Sequence, residues 1–309
     1  MIANQVLPII SISLILSAFT YLATPNVGKK LRKMKIVGID VHKVSRPSIP
    51  EMGGVVILVP ILLLLACVYL FTNAFPVLIV AMATLLFGVY GMLDDLLHLG
   101  KYQKLALSIG MGIVLLIPTN PGLLIFIPLL FLTAGTGNIF NLFAGFNGLE
   151  VGCTSTIALF FSALCLITGN VVPFYLSFGL FIVLIGFLMH NKYPARIFPG
   201  NIGTMTLGGF FAGICLYYNL YYLLIPLLFL HIADVALKGA SAGYFSSSEH
   251  APTKINGDNV LVPGNDYLSL SRLVLRIRPM TEKQLVRFFW AASSFLGIST
   301  VIITGVLLC

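Results

Sequence analysis

Residues 138–150 read NIFNLFAGFNGLE and lie between two long apolar runs. Asparagine is costly against lipid and ordinary at a helix end. Asn138, Asn141 and Glu150 together exceed what capping requires, and with Asn147 in the same stretch this polar cluster at the mouth of a membrane bundle is a candidate binding site. Asparagine oxygens can ligate a hard cation or read the edge of a base, and Gly145 and Gly148 permit close backbone approach. A second segment, LDDLLHLGKYQK, sets Asp94 beside Asp95, with His98, Lys101 and Lys104 after them. Adjacent carboxylates at the end of an apolar run repel each other unless a divalent cation or a cationic group compensates them. Lys104 is near enough in sequence to do so. Helix termination with surface ion pairs would explain one Asp and one Lys, not the pair.

Three further polar segments follow the same pattern. HNKYPARIFPGN (190–201) is forced out of helix by Pro194, Pro199 and Gly200, and carries Lys192 and Arg196 as candidate phosphate contacts. In EHAPTKI (249–255), His250 and Lys254 could bind a phosphate or a sugar hydroxyl, although alone this is a solvated loop. DVHKVSRPSIPEMGG (40–54) places Glu51 at the start of the next apolar run, where a helix N-terminus favours an anion; capping is an equal alternative.

The elements that must position these residues are membrane helices. The chain is 58% hydrophobic and 9% charged, with mean hydropathy +1.01, whereas soluble domains carry about 25% charged residues. Ten apolar runs lie near 5–25, 53–72, 75–93, 104–118, 122–138, 151–168, 171–190, 204–218, 220–237 and 287–308, each long enough, or nearly so, to cross about 30 Å of hydrocarbon as a helix. They lack the alternation of barrel strands. The expected fold is an all-α polytopic membrane helix bundle of about ten transmembrane helices, a single domain over 1–309.

The connectors near 73–74, 119–121, 169–170 and 219 contain no Lys, Arg, Asp or Glu. The 18 basic and 10 acidic residues fall in or beside the opposite connectors, near 26–52, 94–103, 139–150, 191–203 and 238–286. The positive-inside rule makes that face cytoplasmic and puts both termini outside. Topology signalling explains the basic residues; it does not explain why the carboxylates and all five histidines crowd the same face, and chemistry at the cytoplasmic surface does. The net charge of +8 suits an anionic membrane, and Lys29, Lys30, Arg32, Lys33 and Lys35 read as a stop-transfer and lipid-headgroup anchor. The five cysteines show no metal spacing and read as packing residues. Residues 5–25 read as the first span, not a removed signal. Asp234 and Lys238, four residues apart in the ninth run, read as a structural pair, and 266–278 as an interfacial amphipathic helix.

Taken in order, the segments resemble the polyprenyl-phosphate N-acetylhexosamine-1-phosphate transferase superfamily (glycosyltransferase family 4) over nearly the whole chain. SRPSIPEMGG is similar to its early loop, and LDDLLHLGKYQK to its Asp-Asp motif with the downstream lysine. NIFNLFAGFNGLEVG, the most specific match, is close to the Asn-rich motif of the archaeal and eukaryotic dolichyl-phosphate GlcNAc-1-phosphotransferase branch. YPARIFPGN stands where that branch has a YPSRVFVGD-type motif, and DYLSLSRLVLRIRPMTEKQL resembles its last cytoplasmic segment. The resemblance implies attack of a lipid phosphate on the β-phosphorus of a UDP-amino sugar, release of UMP, and formation of a polyprenyl-diphosphate sugar.

By the same resemblance, Asp94, Asp95 and Lys104 are catalytic: Asp94 orients or deprotonates the lipid phosphate, and Lys104 contacts the diphosphate. Asn141 and Asn201 would hold the metal, Mg²⁺ or Mn²⁺. Asn147 would face the uridine, with Glu51, Asn138, Glu150, Arg196, His250 and Lys254 binding substrate. The implied partners are a UDP-amino sugar, a polyprenyl or dolichyl phosphate and membrane lipids, with a homodimer compatible and no nucleic acid. The implied location is a cell membrane, or the endoplasmic reticulum in a eukaryote. Two positions depart from the family pattern: His98 stands where an acidic or amide side chain is common, and Asn201 where the principal metal-binding aspartate is expected. Asn201 keeps open an impaired homologue, and a transporter or flippase of anionic substrates is the other alternative. A transporter would place its ionisable groups near the bilayer midplane, whereas here they gather at one face.

Overall fold

The computed structural model describes residues 2–119, 121–242, 253–256, 258–264 and 267–308. The first helix, α1 (Ile2–Lys33), leads into an antiparallel hairpin of β1 (Val37–Ile39) and β2 (Ser48–Pro50), with Val37 opposite Pro50. Next come α2 (Val55–Thr72), α3 (Pro76–Leu97), α4 (Lys101–Leu116), α5 (Leu123–Leu142), α6 (Leu149–Ile167), α7 (Val171–Asn191) and α8 (Gly200–Tyr218). A bend of 70° separates α9 (Tyr221–Leu227) from α10 (Phe229–Ala242). The pair β3 (Lys254–Ile255) and β4 (Leu261–Val262), the short α11 (Leu270–Ile277) and the long α12 (Glu282–Leu308) complete the chain.

This is an all-α polytopic membrane bundle. Among the described residues, eight helices are long and apolar enough to cross a membrane, or nine if the bent α9–α10 pair is one span. The remaining expected run is α8, in which every residue from Ile202 to Leu216 is buried. It contacts protein in place of lipid, so its glycines and threonines are tolerated where a lipid-facing helix would carry larger apolar side chains.

Several helices outrun the apolar runs that mark them. The first continues to Lys33, so Lys29, Lys30, Arg32 and Lys33 lie on its last turns and do not follow it. Lysine and arginine are good helix formers and favour the negative end of the helix dipole. In the same way α3 carries Asp94 and Asp95, α5 carries Asn138 and Asn141, and α6 carries Glu150. The expected polar loops are therefore mostly helix ends, and the site inherits their rigidity.

The central pairing is α3 against α8. A Cβ on Gly91 would lie 2.3 Å from the Asn201 carbonyl oxygen, so only glycine lets α3 approach the start of α8 this closely. Gly200 opens α8 at φ +67°, and a Cβ there would lie 2.7 Å from an Asp95 carboxylate oxygen. A smaller apolar cluster of Phe143, Leu149, Leu261, Leu275, Leu285 and Phe289 ties the late segment to the bundle. The amphipathic stretch is helical only over Leu270–Ile277: Ser269 caps it by accepting a hydrogen bond from the Arg272 N–H at 3.3 Å, and Leu275 is buried. Asp234 accepts the Leu270 N–H at 2.7 Å and pairs with Lys238 at 2.7 Å, which itself donates to the Leu142 carbonyl at 2.6 Å. The expected Asp234–Lys238 pair is thus present and ties three segments together.

Candidate active site

The end of α3 meets the start of α8 through its two aspartates. Asp95 accepts the backbone N–H groups of Asn201 at 2.9 Å and Ile202 at 3.0 Å, one on each carboxylate oxygen. It therefore satisfies N–H groups that the first turn of a helix leaves without partners. Asp94 is buried and pairs with Lys104 at 2.8 Å, while the side-chain amide of Asn201 donates to the same Asp94 oxygen at 2.9 Å. The compensation of the aspartate pair is thus divided: a lysine and an amide for Asp94, a helix N-terminus for Asp95.

The two asparagines of α5 diverge in role. Asn141 accepts from the Thr204 hydroxyl at 2.9 Å and faces the cavity described below. Asn138, one turn earlier, donates to Ser108 and to the Ala134 carbonyl, both at 2.8 Å, and meets the Tyr90 hydroxyl at 3.5 Å. It braces α3, α4 and α5 behind the cavity and does not line it.

Asn147 sits in the turn between α5 and α6. Its backbone N–H donates to Glu282 at 2.7 Å, and its side-chain amide donates to Asp40 at 2.9 Å and to Glu282 at 3.2 Å. Lys43 bridges the same two carboxylates. The adjacent His42 stacks on Phe146 with ring centroids 4.5 Å apart. Burial holds its ring neutral, with the pKa lowered from 6.5 to about 4; Asp40 opposes that shift and Lys43 adds to it. Burial likewise pushes the Glu51 carboxyl up, opposed by His98. Glu150 accepts the Thr154 hydroxyl at 2.7 Å and lies 3.4 Å from the buried His231 ring, in contact without hydrogen-bond geometry.

These elements enclose a cavity of about 350 Å³. Of the residues expected from sequence, Glu51, Asn141, Asn147, Glu150 and Asn201 line it. Asp94 and Asp95 stand one hydrogen bond behind, through Asn201, and Lys104 stands behind Asp94 in turn. Asp40, His42, Asn191, Thr204 and Glu282 also line it and were not singled out from sequence. A signal for Asp40 and Glu282 existed: the chain has only 10 carboxylates, so each one beside a membrane span warranted attention. Arg196 lines a different cavity, and Lys254 is exposed on β3. His250 lies outside the described residues.

Among the described residues, four carboxyl groups (Asp40, Glu51, Glu150 and Glu282) line the cavity, and no lysine or arginine does. A divalent cation would offset the charge of an anion bound among these groups. The donor set fits such an ion. The Asn201 side-chain oxygen accepts no hydrogen bond from the described residues, and Asn141 offers a second amide oxygen from the facing helix. Mg²⁺ commonly keeps waters and relies on substrate phosphates, and these two amide oxygens would be its protein ligands. Asp40, His42 and Glu282 also bring ligand atoms within 4.8 Å of one another, but there Lys43 already supplies the positive charge.

Comparison with known proteins fits this geometry. The sequence profile of glycosyl transferase family 4 matches residues 77–219, which hold both aspartates, the asparagine segment and Asn201. A Methanocaldococcus jannaschii protein provisionally named a glycosyltransferase is 34% identical over 281 residues, covering 89% of this chain and 90% of its own length. A Sulfolobus acidocaldarius protein, provisionally named a UDP-N-acetylglucosamine–dolichyl-phosphate N-acetylglucosaminephosphotransferase, is 28% identical over 92% of each chain. The phospho-N-acetylmuramoyl-pentapeptide-transferase of Prochlorococcus marinus is 25% identical over 93% of this chain and 88% of its own.

Proposed function

The chain belongs to glycosyl transferase family 4, and from that premise we propose that it transfers N-acetylglucosamine-1-phosphate from UDP-N-acetylglucosamine to a polyprenyl or dolichyl phosphate, releasing UMP. It is a phosphotransferase of the polyprenyl-phosphate hexosamine-1-phosphate type. The choice of N-acetylglucosamine and of a dolichyl acceptor follows the names of the archaeal relatives. The product would start a lipid-linked glycan, for protein N-glycosylation or a cell-surface polymer. The charge-bearing end of the bundle would face the cytoplasm of a cell-membrane protein, because the connectors at the other end carry no charge.

The observation that carries this reading is the cavity itself: amide oxygens and carboxylates with no lining Lys or Arg among the described residues, backed by the Asp94–Lys104 pair. A lipid phosphate oxygen attacks the β-phosphorus, the bond from that phosphorus to the UMP oxygen breaks, and its electron pair leaves with UMP. The nucleophile is largely ionised near neutral pH, since a phosphate monoester loses its second proton near pH 6, so no strong base is required. Lys104, held by Asp94 and 38% exposed, would offer its ammonium to the phosphates, and Asp94 would fix its position. Asn147, immobilised by Asp40 and Glu282, would meet the uridine side. Mg²⁺, or Mn²⁺ in its place, would be held by Asn141 and Asn201 and would neutralise diphosphate charge in the transition state.

Purified protein with Mg²⁺, polyprenyl phosphate and sugar-labelled UDP-N-acetylglucosamine is expected to give labelled lipid, and UDP-N-acetylgalactosamine far less. Equal use of both donors would remove the sugar assignment. No labelled lipid from either donor at saturating Mg²⁺ would favour the second reading, an impaired homologue, which the uncharged Asn201 alone recommends.

A further inference from the structure

A second cavity, of about 300 Å³, opens beside the end of α1 and shares no lining residue with the active-site cavity. Lys29 and Arg32 reach it from the last turns of α1, and His190 and Arg196 from the end of α7 and the loop after it; Pro50 of β2 forms part of the wall. Among the described residues, no carboxylate lines it, and Lys29, Arg32 and Arg196 form no salt bridge. Arg32 donates once, to the Ser48 carbonyl at 3.1 Å, which fixes its guanidinium and leaves other donors unused. His190 is a fixed wall: a ring nitrogen meets the Tyr21 carbonyl at 3.0 Å, and the ring stacks on Tyr21.

Three cations around one small cavity repel one another, and an anion relieves that repulsion. A headgroup anchor at the end of a span would account for Lys29 and Arg32. It would not account for Arg196, which the loop after α7 brings to the same cavity. The volume suits a small headgroup, and a guanidinium pair with an ammonium matches a phosphate.

We infer that this cavity is a phosphate-binding site at the membrane surface, separate from the active site, that takes the headgroup phosphate of an anionic lipid. Free phosphate shares that chemistry. The lipid is favoured by the approach along α1: Leu14 and Tyr21, 57% and 45% exposed, lie at seven-residue spacing on the helix face that ends at Gly28 in the cavity. An acyl or isoprenoid chain can lie on that face while its phosphate sits among the cations. The inference is independent of the transferase reading.

The test uses the purified full-length protein in detergent. Phosphatidylglycerol and phosphatidylcholine binding are read by native mass spectrometry, and inorganic phosphate binding by calorimetry. The expected result is preference for phosphatidylglycerol, weakened at least tenfold in the Lys29→Gln, Arg32→Gln, Arg196→Gln triple variant. The charge-conserving Lys29→Arg, Arg32→Lys variant retains it. Saturable inorganic phosphate binding lost in the triple variant, with no lipid preference, would support the phosphate site and assign it to a free anion. Equal binding of the two lipids without phosphate binding would overturn the inference, as would an unchanged lipid preference in a triple variant that melts like the wild type. If the triple variant fails to fold, Arg196→Gln alone carries the test, because its exposed side chain makes no hydrogen bond or salt bridge among the described residues: a weakened preference supports the site and an unchanged one refutes it.

Discussion

Asn201 donates its side-chain amide to Asp94 at 2.9 Å, and its backbone N–H donates to Asp95 at 2.9 Å. One uncharged residue thus joins the start of α8 to both carboxylates at the end of α3. An aspartate in its place would put a third negative charge against a buried one. The amide therefore holds α3 and α8 together by hydrogen bonds where a charged residue would depend on a cation.

Asn201→Asp should make the protein dependent on divalent metal for its stability as well as its activity. In EDTA the variant loses a part-buried hydrogen bond to a carboxylate and gains carboxylate repulsion, a cost of about 1–3 kcal/mol. With Mg²⁺ the added charge strengthens the metal site, so half-maximal rate is reached at lower Mg²⁺ or the rate rises. Thermal melts with and without Mg²⁺, and a Mg²⁺ titration of the rate, check both halves. A melt indifferent to Mg²⁺ and an unchanged or reduced rate across the titration would remove Asn201 from the metal site.

Lys104→Met should lower kcat by roughly 10²–10³, the usual loss on removing one preorganised charge from a transition state. Its stability cost should be smaller than for a fully buried pair: Lys104 is 38% exposed and water can replace part of its contact with Asp94, whose side chain is 1% exposed. Lys104→Arg should keep the pair and recover part of the rate. A melting point that collapses while the rate per folded molecule is intact would make the lysine structural.

Asp95→Ala should act mainly on stability, by about 1–2 kcal/mol, because Asp95 caps α8 with both oxygens. Asp95→Asn keeps one acceptor oxygen and turns an NH2 toward the other N–H, so it should recover only part of that loss, whereas Asp94→Ala should act mainly on rate. The comparison needs melting and kcat for all three variants. Asp95→Ala with an unchanged melt and no activity would contradict the capping role.

The hairpin supplies a pH signature. Below pH 6.5 the unfolded chain protonates His42, while the folded chain refuses the proton until about pH 4. The unfolded state therefore binds more protons in that window, and stability falls as pH falls from about 6.5 to 4. Glu51 acts in the opposite sense: its raised pKa means the folded state keeps a proton that the unfolded state loses above pH 4.5, so its contribution falls as pH rises from there. His42→Gln should flatten the acid-side loss of melting temperature, and Glu51→Gln should leave that side as steep or steeper. Parallel melting-versus-pH curves for wild type and His42→Gln would contradict the buried neutral ring.

Hydropathy located the spans because lipid-facing helices must be apolar, and it was less sure at α8 because that helix faces protein. It also cut some runs short of their helices, ending at 93 before Asp94 and Asp95 and at 138 before Asn141, and starting at 151 after Glu150, although all four residues are helical. Backbone hydrogen bonding carries a helix past the hydrocarbon edge, and a hydropathy window does not register it. Glu51, Asn141, Asn147, Glu150 and Asn201 were legible as a set because polar residues beside spans are rare. Asp40 and Glu282 were marked only by the scarcity of carboxylates, because each meets Asn147 through a contact made across the fold. The separation of Arg196 from the cavity was equally invisible, since a loop's sequence does not say which side of it a side chain takes.

The central claim is that phosphate moves with the sugar. UDP-N-acetylglucosamine labelled with ³²P in the β-phosphate, incubated with the protein, Mg²⁺ and polyprenyl phosphate, separates this from ordinary sugar transfer. The label should appear in the lipid fraction, with one unlabelled UMP released per labelled lipid. Label retained in UDP, or lipid formed without release of UMP, would contradict it.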